Sequence, residues 1–436
     1  MERALPASGR TEVSPTLARA FAAWGLLLLA AVPAAQHLPS LDAGPFGPFL
    51  ADFAAVLRPP DDGGRLFFAV NRRLQARMEA LERGLEEGSW ILARTQGAVQ
   101  WLLAGWGGAG NEQVYVGRGG WLVYRPGFDY VTGPPLLAPD VLERRRRAGP
   151  SWSAAPASDP RPAILDFHRQ LAERGVRLIV VPAPTKLMVH PEALASAGSR
   201  GAGTPALHNP SFAELRAAFE DAGIQVYDPT ETLLRLRERE GAFLRTDSHW
   251  SPGAVDAVAR ELADRVRLLG LPFAGPEVAW QRRAVDVEGV GDLALTLRLP
   301  AWGKLYPPEP ARLERVAGPD GRPWQADPRA EVLVLGDSFT NVFSEPGLGW
   351  GRAAGLAEQL AFHLGRGVDR IALNDDGAAA SRRRLAQELA AGRERLRGKR
   401  LVVWEFAVRE LAAGDWQTIA LQTVALPPIP PEDVQE

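Results

Sequence analysis

Val332-Leu333-Val334-Leu335-Gly336-Asp337-Ser338-Phe339 runs from four consecutive apolar residues into a glycine, an acid and a serine. An unbroken apolar run of this kind suits a parallel strand covered on both faces. Ser338 then falls just past the carboxyl end of that strand, where open α/β sheets hold their ligands. Gly336 lets the chain turn sharply with no Cβ to clash, and the N–H of Ser338 is suited to face the oxygen of a bound acyl group. A Gly-Asp-Ser tripeptide is also an ordinary turn, so the serine identifies nothing by itself.

Similar runs recur on both sides: Arg177 to Pro182, Ile224 to Asp228, Arg370 to Asn374 and Leu401 to Phe406. Helical stretches separate them. Ser251-Pro252 supplies an N-cap and a first-turn proline, and Val255, Val258, Leu262, Val266 and Leu269 follow on one face. Leu356, Leu360 and Leu364 mark a second helix, Leu385 and Leu389 a third. The alternation predicts an α/β fold, a doubly wound parallel sheet of about five strands. Upstream, Leu74, Met78, Leu81 and Leu85 recur at helical steps, which predicts a long amphipathic helix over Leu66 to Gly97. Val114 to Pro135 is aromatic and β-branched around Gly117, Gly119 and Gly120, which predicts a hairpin ended by Pro134-Pro135. Arg144 to Pro162, rich in Arg, Ala, Ser and Pro, reads as a loop with Arg144–Arg147 solvated.

A second constellation, Thr246-Asp247-Ser248-His249-Trp250, directly precedes the Ser251-capped helix. In an extended segment residues two apart point the same way, so Asp247 and His249 can lie side by side. A carboxylate can then accept from one imidazole nitrogen while the other takes a nucleophile's proton. An Asp-x-His pair is also common in surface loops. A metal pair is the other reading, but His37, His168, His190, His208 and His363 show no ligand spacing around it, and no metal is expected. The pairing of this motif with Ser338 favours function.

Composition narrows the chemistry. The chain is 46% apolar and 23% charged with a net charge of −2, an ordinary globular profile that offers no basic stretch to track nucleic acid. Cysteine is absent, which excludes disulfides and thiol nucleophiles. Ala20 to Ala35 is an apolar run preceded by Arg3, Arg10 and Arg19, which predicts a signal peptide or a signal anchor; a buried core helix is the plain alternative. The expected layout is residues 1–40 as tail and signal segment, 41–150 as a helical and hairpin elaboration packed on the catalytic domain, and 151–436 as that domain.

Asp247 to Ala254 (DSHWSPGA), Leu335 to Ser344 (LGDSFTNVFS) and Val402 to Leu411 (VVWEFAVREL) resemble the alginate O-acetyltransferase AlgJ/AlgX family of SGNH-like proteins. Val116 to Pro134, Val180 to Glu192 and Gly289 to Leu297 resemble other segments of that family. The Asp/His block precedes the serine block, the reverse of ordinary SGNH hydrolases and a feature of the resembled family. The resemblance implies Ser338 as nucleophile, His249 as general base and acid, and Asp247 as the carboxylate orienting it. Beside the Ser338 amide, Asn374, Gly377 or Arg409 are oxyanion candidates, although Asn374 also reads as a helix cap. Lys186 and Arg409 follow strand ends where they would meet an anionic polysaccharide, with surface solvation the plainer account of Lys186. Trp250, Trp302, Trp350 and Trp404 read either as a sugar-stacking rim or as core, Trp404 as core in particular. The activity implied is acetyl transfer to an exported polysaccharide in the periplasm, beside the inner membrane. A membrane-bound O-acyltransferase partner would supply the acetyl group, and no cofactor is called for. An acetylesterase with the same triad, or a non-catalytic scaffold, are the rivals.

Overall fold

The computed structural model describes residues 90–148, 155–194, 206–237, 241–374 and 377–422, with isolated positions between 16 and 80. The chain divides into two compact units, Met1–Val99 and Gln100–Glu436. The apolar run Ala20–Ala35 lies outside the described residues apart from Ala23; among the described residues no helix is long and apolar enough to cross a membrane. Most of the helix expected over Leu66 to Gly97 also lies outside them. Val70, Leu74 and Met78 are helical, and a helix runs Trp90–Gly105.

The strands are β1 (Val114–Val116), β2 (Leu122–Tyr124), β3 (Arg177–Ala183), β4 (Gln225–Val226), β5 (Gln281–Gly289), β6 (Glu309–Ala317), β7 (Val332–Gly336), β8 (Asp369–Ala372) and β9 (Leu401–Ala407). Five of them form the expected parallel sheet, in the order β4-β3-β9-β7-β8. β7 and β9 are buried at every residue, and only Arg177 of β3 is exposed, as apolar runs covered on both faces require. The run expected from Ile224 to Asp228 shortens to the two residues of β4, an edge strand with one neighbour.

The strand order explains why the Asp/His block precedes the serine. Counted from β7 as first strand and passing from β9 back to β3, the order becomes 2-1-3-4-5, that of a flavodoxin-like doubly wound sheet. The topology is therefore a cyclic permutation of that order. β3 to β4 and β7 to β8 step in opposite directions, and right-handed crossovers put their helices, Phe212–Asp221 and Leu356–Leu364, on opposite faces. The switch point lies between β7 and β9.

Three segments depart from expectation. β1 and β2 pair antiparallel around the Arg118–Gly120 turn, as the glycines imply, but Arg125–Thr132 is a helix. Pro126 in its first turn pre-sets the helical φ, and the helix buries Gly127 and Tyr130. Arg144–Arg147 are not a loop; they end the helix Pro139–Arg147, where Asp140–Arg144 and Glu143–Arg147 pair one turn apart. Arg145 is not solvated like its neighbours: its guanidinium donates to the carbonyls of Ser158, Leu411 and Gly414 at 2.7, 3.2 and 2.9 Å. The β5–β6 ribbon, antiparallel from Gln281↔Ala317 to Gly289↔Glu309, was not expected, because its strands are mostly polar and far apart in sequence.

Candidate active site

Arg245 to His249 is held from several sides. Glu309, on β6, accepts from the amides of Arg245 and Thr246 at 3.0 Å each and from the Thr246 hydroxyl at 2.7 Å. The Lys186 ammonium donates to the carbonyls of Leu122 and Arg245 at 2.6 and 3.0 Å, tying β2 to this segment. Asp292 accepts from the Ser248 amide and hydroxyl at 2.6 Å each. Gly291 sits against Thr246 so closely that a Cβ there would lie 2.2 Å from the Thr246 carbonyl carbon. Only glycine fits that approach.

On this support the three expected residues meet. His249 Nε2 lies 2.8 Å from Ser338 Oγ, and His249 Nδ1 lies 2.6 Å from Asp247 Oδ1. The same Oδ1 accepts from the His249 amide at 3.0 Å, while Oδ2 accepts from Trp350 Nε1 at 2.8 Å and the Asp292 amide at 3.1 Å. Asp247 and His249 are 1% and 4% exposed, so little water competes for these bonds. Burial would lift the Asp247 carboxyl, but the charge and hydrogen bond of His249, helped by Trp350, hold it well below the usual carboxylate range. Burial would likewise depress His249, but Asp247, then Asp292 and Asp337, hold its pKa above the ordinary histidine value. Asp247, His249 and Asp292 also have the spacing of a metal site. Every carboxylate oxygen of the two acids, and both imidazole nitrogens, already has a hydrogen-bond partner here.

The nucleophile turn is as tightly built. Ser338 opens the helix Ser338–Asn341, whose N-cap Asp337 accepts from the Phe339 amide at 2.8 Å and, through its other oxygen, from the Ala407 amide of β9 at 2.8 Å. The Ser338 N–H has no intrahelical acceptor, being at the first position. Gly336 is indispensable: a Cβ there would lie 2.1 Å from Thr340 Oγ1. That hydroxyl donates to Glu405 at 2.7 Å, and Glu405 also accepts from the Asp337 amide at 3.2 Å. Glu405 is fully buried, and burial followed by the Asp337 charge raises its pKa well above the usual carboxylate range.

Lys186 and Arg409 line one cleft with Val123, Tyr124, Gly127, Thr185, Leu187 and Ser248. Surface solvation does not describe Lys186, which is 4% exposed; burial pushes it down to about 8 against the pull of Asp247, Asp292 and Glu309. Arg409 lies over the rings of Tyr124 and Phe339 at 5.0 and 5.8 Å. Asn374 is exposed and caps no helix: the next one is capped by Ala378, and Asn374 Oδ1 accepts from Asn341 Nδ2 at 2.9 Å. Gly377 adopts φ +62°, and Glu410 Oε2 fills the space a Cβ would need. Of the four tryptophans, Trp250, Trp350 and Trp404 are core and only Trp302 is exposed. Sequence reasoning missed Trp350 as a donor to Asp247, and also Asp292 and Glu405. A glycine before an acid, Gly291-Asp292, was the available signal for the second; an acid inside an apolar strand, Trp404-Glu405-Phe406, was the signal for the third.

A parallel sheet with a serine turn at its switch point, and an Asp-His pair reaching that serine, defines an SGNH hydrolase-like protein. The family described as SGNH hydrolase-like domain, acetyltransferase AlgX, matches residues 138–408, and the chain belongs to it. Relatives named "probable alginate O-acetylase AlgJ" are 28% identical over 263 residues in Azotobacter vinelandii and 29% identical over 167 residues in Pseudomonas aeruginosa. The first match spans 58% of this chain and 63% of the relative, the second 37% and 36%. The chain thus matches less than two thirds of either relative's length. The O-acetyltransferase domain of Pseudomonas putida AlgJ superposes with a TM-score of 0.50 at 23% identity, over 69% of this chain and 92% of that one, which shows the shared fold.

Proposed function

We propose that this protein is an O-acetyltransferase that moves acetyl groups onto hydroxyls of an exported polysaccharide through an acetyl-serine at Ser338. The observation that carries the reading is the 2.8 Å contact of Ser338 Oγ with an imidazole whose far nitrogen rests on a buried carboxylate. Ser338 Oγ attacks the acetyl carbonyl while His249 takes its proton, and the imidazolium returns that proton to the departing group. A sugar hydroxyl then attacks the acetyl-serine, gives its proton to His249, and leaves as the ester while Ser338 recovers its own. The oxyanion of each step meets the Ser338 N–H.

The names of the AlgJ relatives support an alginate-like acceptor. Arg409, on the cleft wall beside Ser248, suits an anionic sugar. On this reading the acetyl group is supplied by a membrane-bound O-acyltransferase partner, and the enzyme works in the periplasm, anchored to the inner membrane through the apolar run Ala20–Ala35 behind its arginines. Purified protein given an acetyl ester with and without oligosaccharide tests the transfer. Acetylated oligosaccharide formed at the expense of free acetate is expected. Hydrolysis indifferent to sugar would make the protein an esterase instead.

A further inference from the structure

Two charged side chains outside the triad act on the segment that bears the imidazole. Asp292 begins the helix Asp292–Thr296, and its Oδ2 lies 3.8 Å from His249 Nδ1. Both its oxygens hold Ser248, the residue before the histidine, and its amide holds the outer oxygen of Asp247. Lys186, from the helix Lys186–Val189, grips the carbonyl of Arg245, and its charge is felt by Asp247, Asp292 and Glu309 alike. The charged groups around His249 are Asp247 on its own segment, Asp292, and Asp337 from the nucleophile turn. Around those acids lie Lys186 and Glu309, with Arg409 over the Phe339 ring that meets the His249 ring at 4.8 Å.

We propose that Asp292 is a positioning residue for the acyl transfer: it seats His249 through Ser248 and raises the affinity of the imidazole for the serine proton, and Lys186 is the cation that offsets it. The proposal rests on the acetyl-serine reading above. Asp292 is a second carboxylate behind one imidazole. Burial and the Asp247 charge raise the Asp292 carboxyl, and in its ionised form its charge at 3.8 Å favours the imidazolium formed as Ser338 attacks, while the buried Lys186 ammonium lies among the same acids.

The test compares two readouts in the full chain: the titration midpoint of His249 by NMR of the histidine-labelled protein, and the pH profile of Ser338 acetylation by an activated acetyl ester. The His249 signal is assigned by its loss in His249→Gln. Asp292→Asn is expected to lower the midpoint by about one pH unit and to carry the acid limb of acetylation with it, given a 3.8 Å contact at a side chain 41% exposed. Lys186→Gln is expected to move both the other way, and Asp292→Glu to restore them. Should Asp292→Asn fail to fold, Asp292→Ser removes the charge while leaving an acceptor for the Ser248 amide. Rates that fall by the same factor at every pH, with the midpoint unmoved in both Asp292 and Lys186 variants, would overturn the proposal. The His249 midpoint is readable even if Ser338 never acetylates, so failure of the acetyl-serine reading would be seen separately.

Discussion

An imidazole that must accept a proton works only while neutral, and His249 is held above the ordinary histidine range by Asp247. Acetylation of Ser338 is therefore expected to fall on the acid side with a midpoint above about 6.5. A midpoint at or below that value would show that the carboxylate does not govern the imidazole. The same shifts bear on stability with opposite signs. The contribution of His249 is complete below about 6.5 and is lost as pH rises through its raised pKa; that of Asp247 is present above about 3.9 and is lost as pH falls through its depressed one. Trp350 belongs to this scale too. Trp350→Phe keeps an aromatic ring but removes the donor to Asp247 Oδ2 and leaves a small cavity, so a loss of about 2–4 kcal/mol in denaturant unfolding is expected, with slower acetylation. Unchanged stability and rate would mean that neither the bond nor the packing of the indole supports the site.

At the scale of elements, the turn after β7 leans on β9. Glu405 accepts from the Asp337 amide and the Thr340 hydroxyl through one oxygen, so Glu405→Gln can keep both bonds while Glu405→Ala leaves two donors and a cavity. Glu405→Gln is expected to stay within about 1 kcal/mol of the parent and Glu405→Ala to lose about 2–4 kcal/mol. The stability Glu405 provides is complete below about 4.3 and is lost as pH rises toward its raised pKa, so Glu405→Gln should flatten stability above that point. Unfolding curves at several pH values check both. Elements of this kind divide what sequence can show. The five parallel strands and the Ser251-capped helix were legible because continuous apolar runs and a cap are local signals. The Arg125–Thr132 helix and the β5–β6 ribbon were not, because tertiary contact overrode aromatic composition in one and long-range pairing joined polar strands in the other. At the site, Asp247, His249 and Ser338 were legible from their spacing and neighbours. Lys186 was misjudged because its burial depends on the carbonyls of Leu122 and Arg245, distant segments no local pattern reveals.

For the whole molecule, the two ends of the sheet do different work. The carboxyl ends of β7 and β9 present Ser338 and Arg409; near the amino ends, Lys399 pairs with the buried Asp369 at 3.1 Å and Arg395 reaches its other oxygen at 2.6 Å. Lys399→Met strips that acid of one partner and is expected to cost about 3–5 kcal/mol while leaving Ser338 acetylation unchanged at temperatures where the variant is folded. Loss of acetylation in a folded Lys399→Met protein would mean the two ends are coupled. The proposed function depends on one covalent event at the switch point of the permuted sheet. Peptide mass mapping after brief exposure of the full chain to an acetyl ester addresses it directly. A gain of one acetyl group on Ser338, absent from Ser338→Ala and much slower to appear in His249→Gln, is the expected result; acetyl turnover that proceeds equally in Ser338→Ala would contradict it.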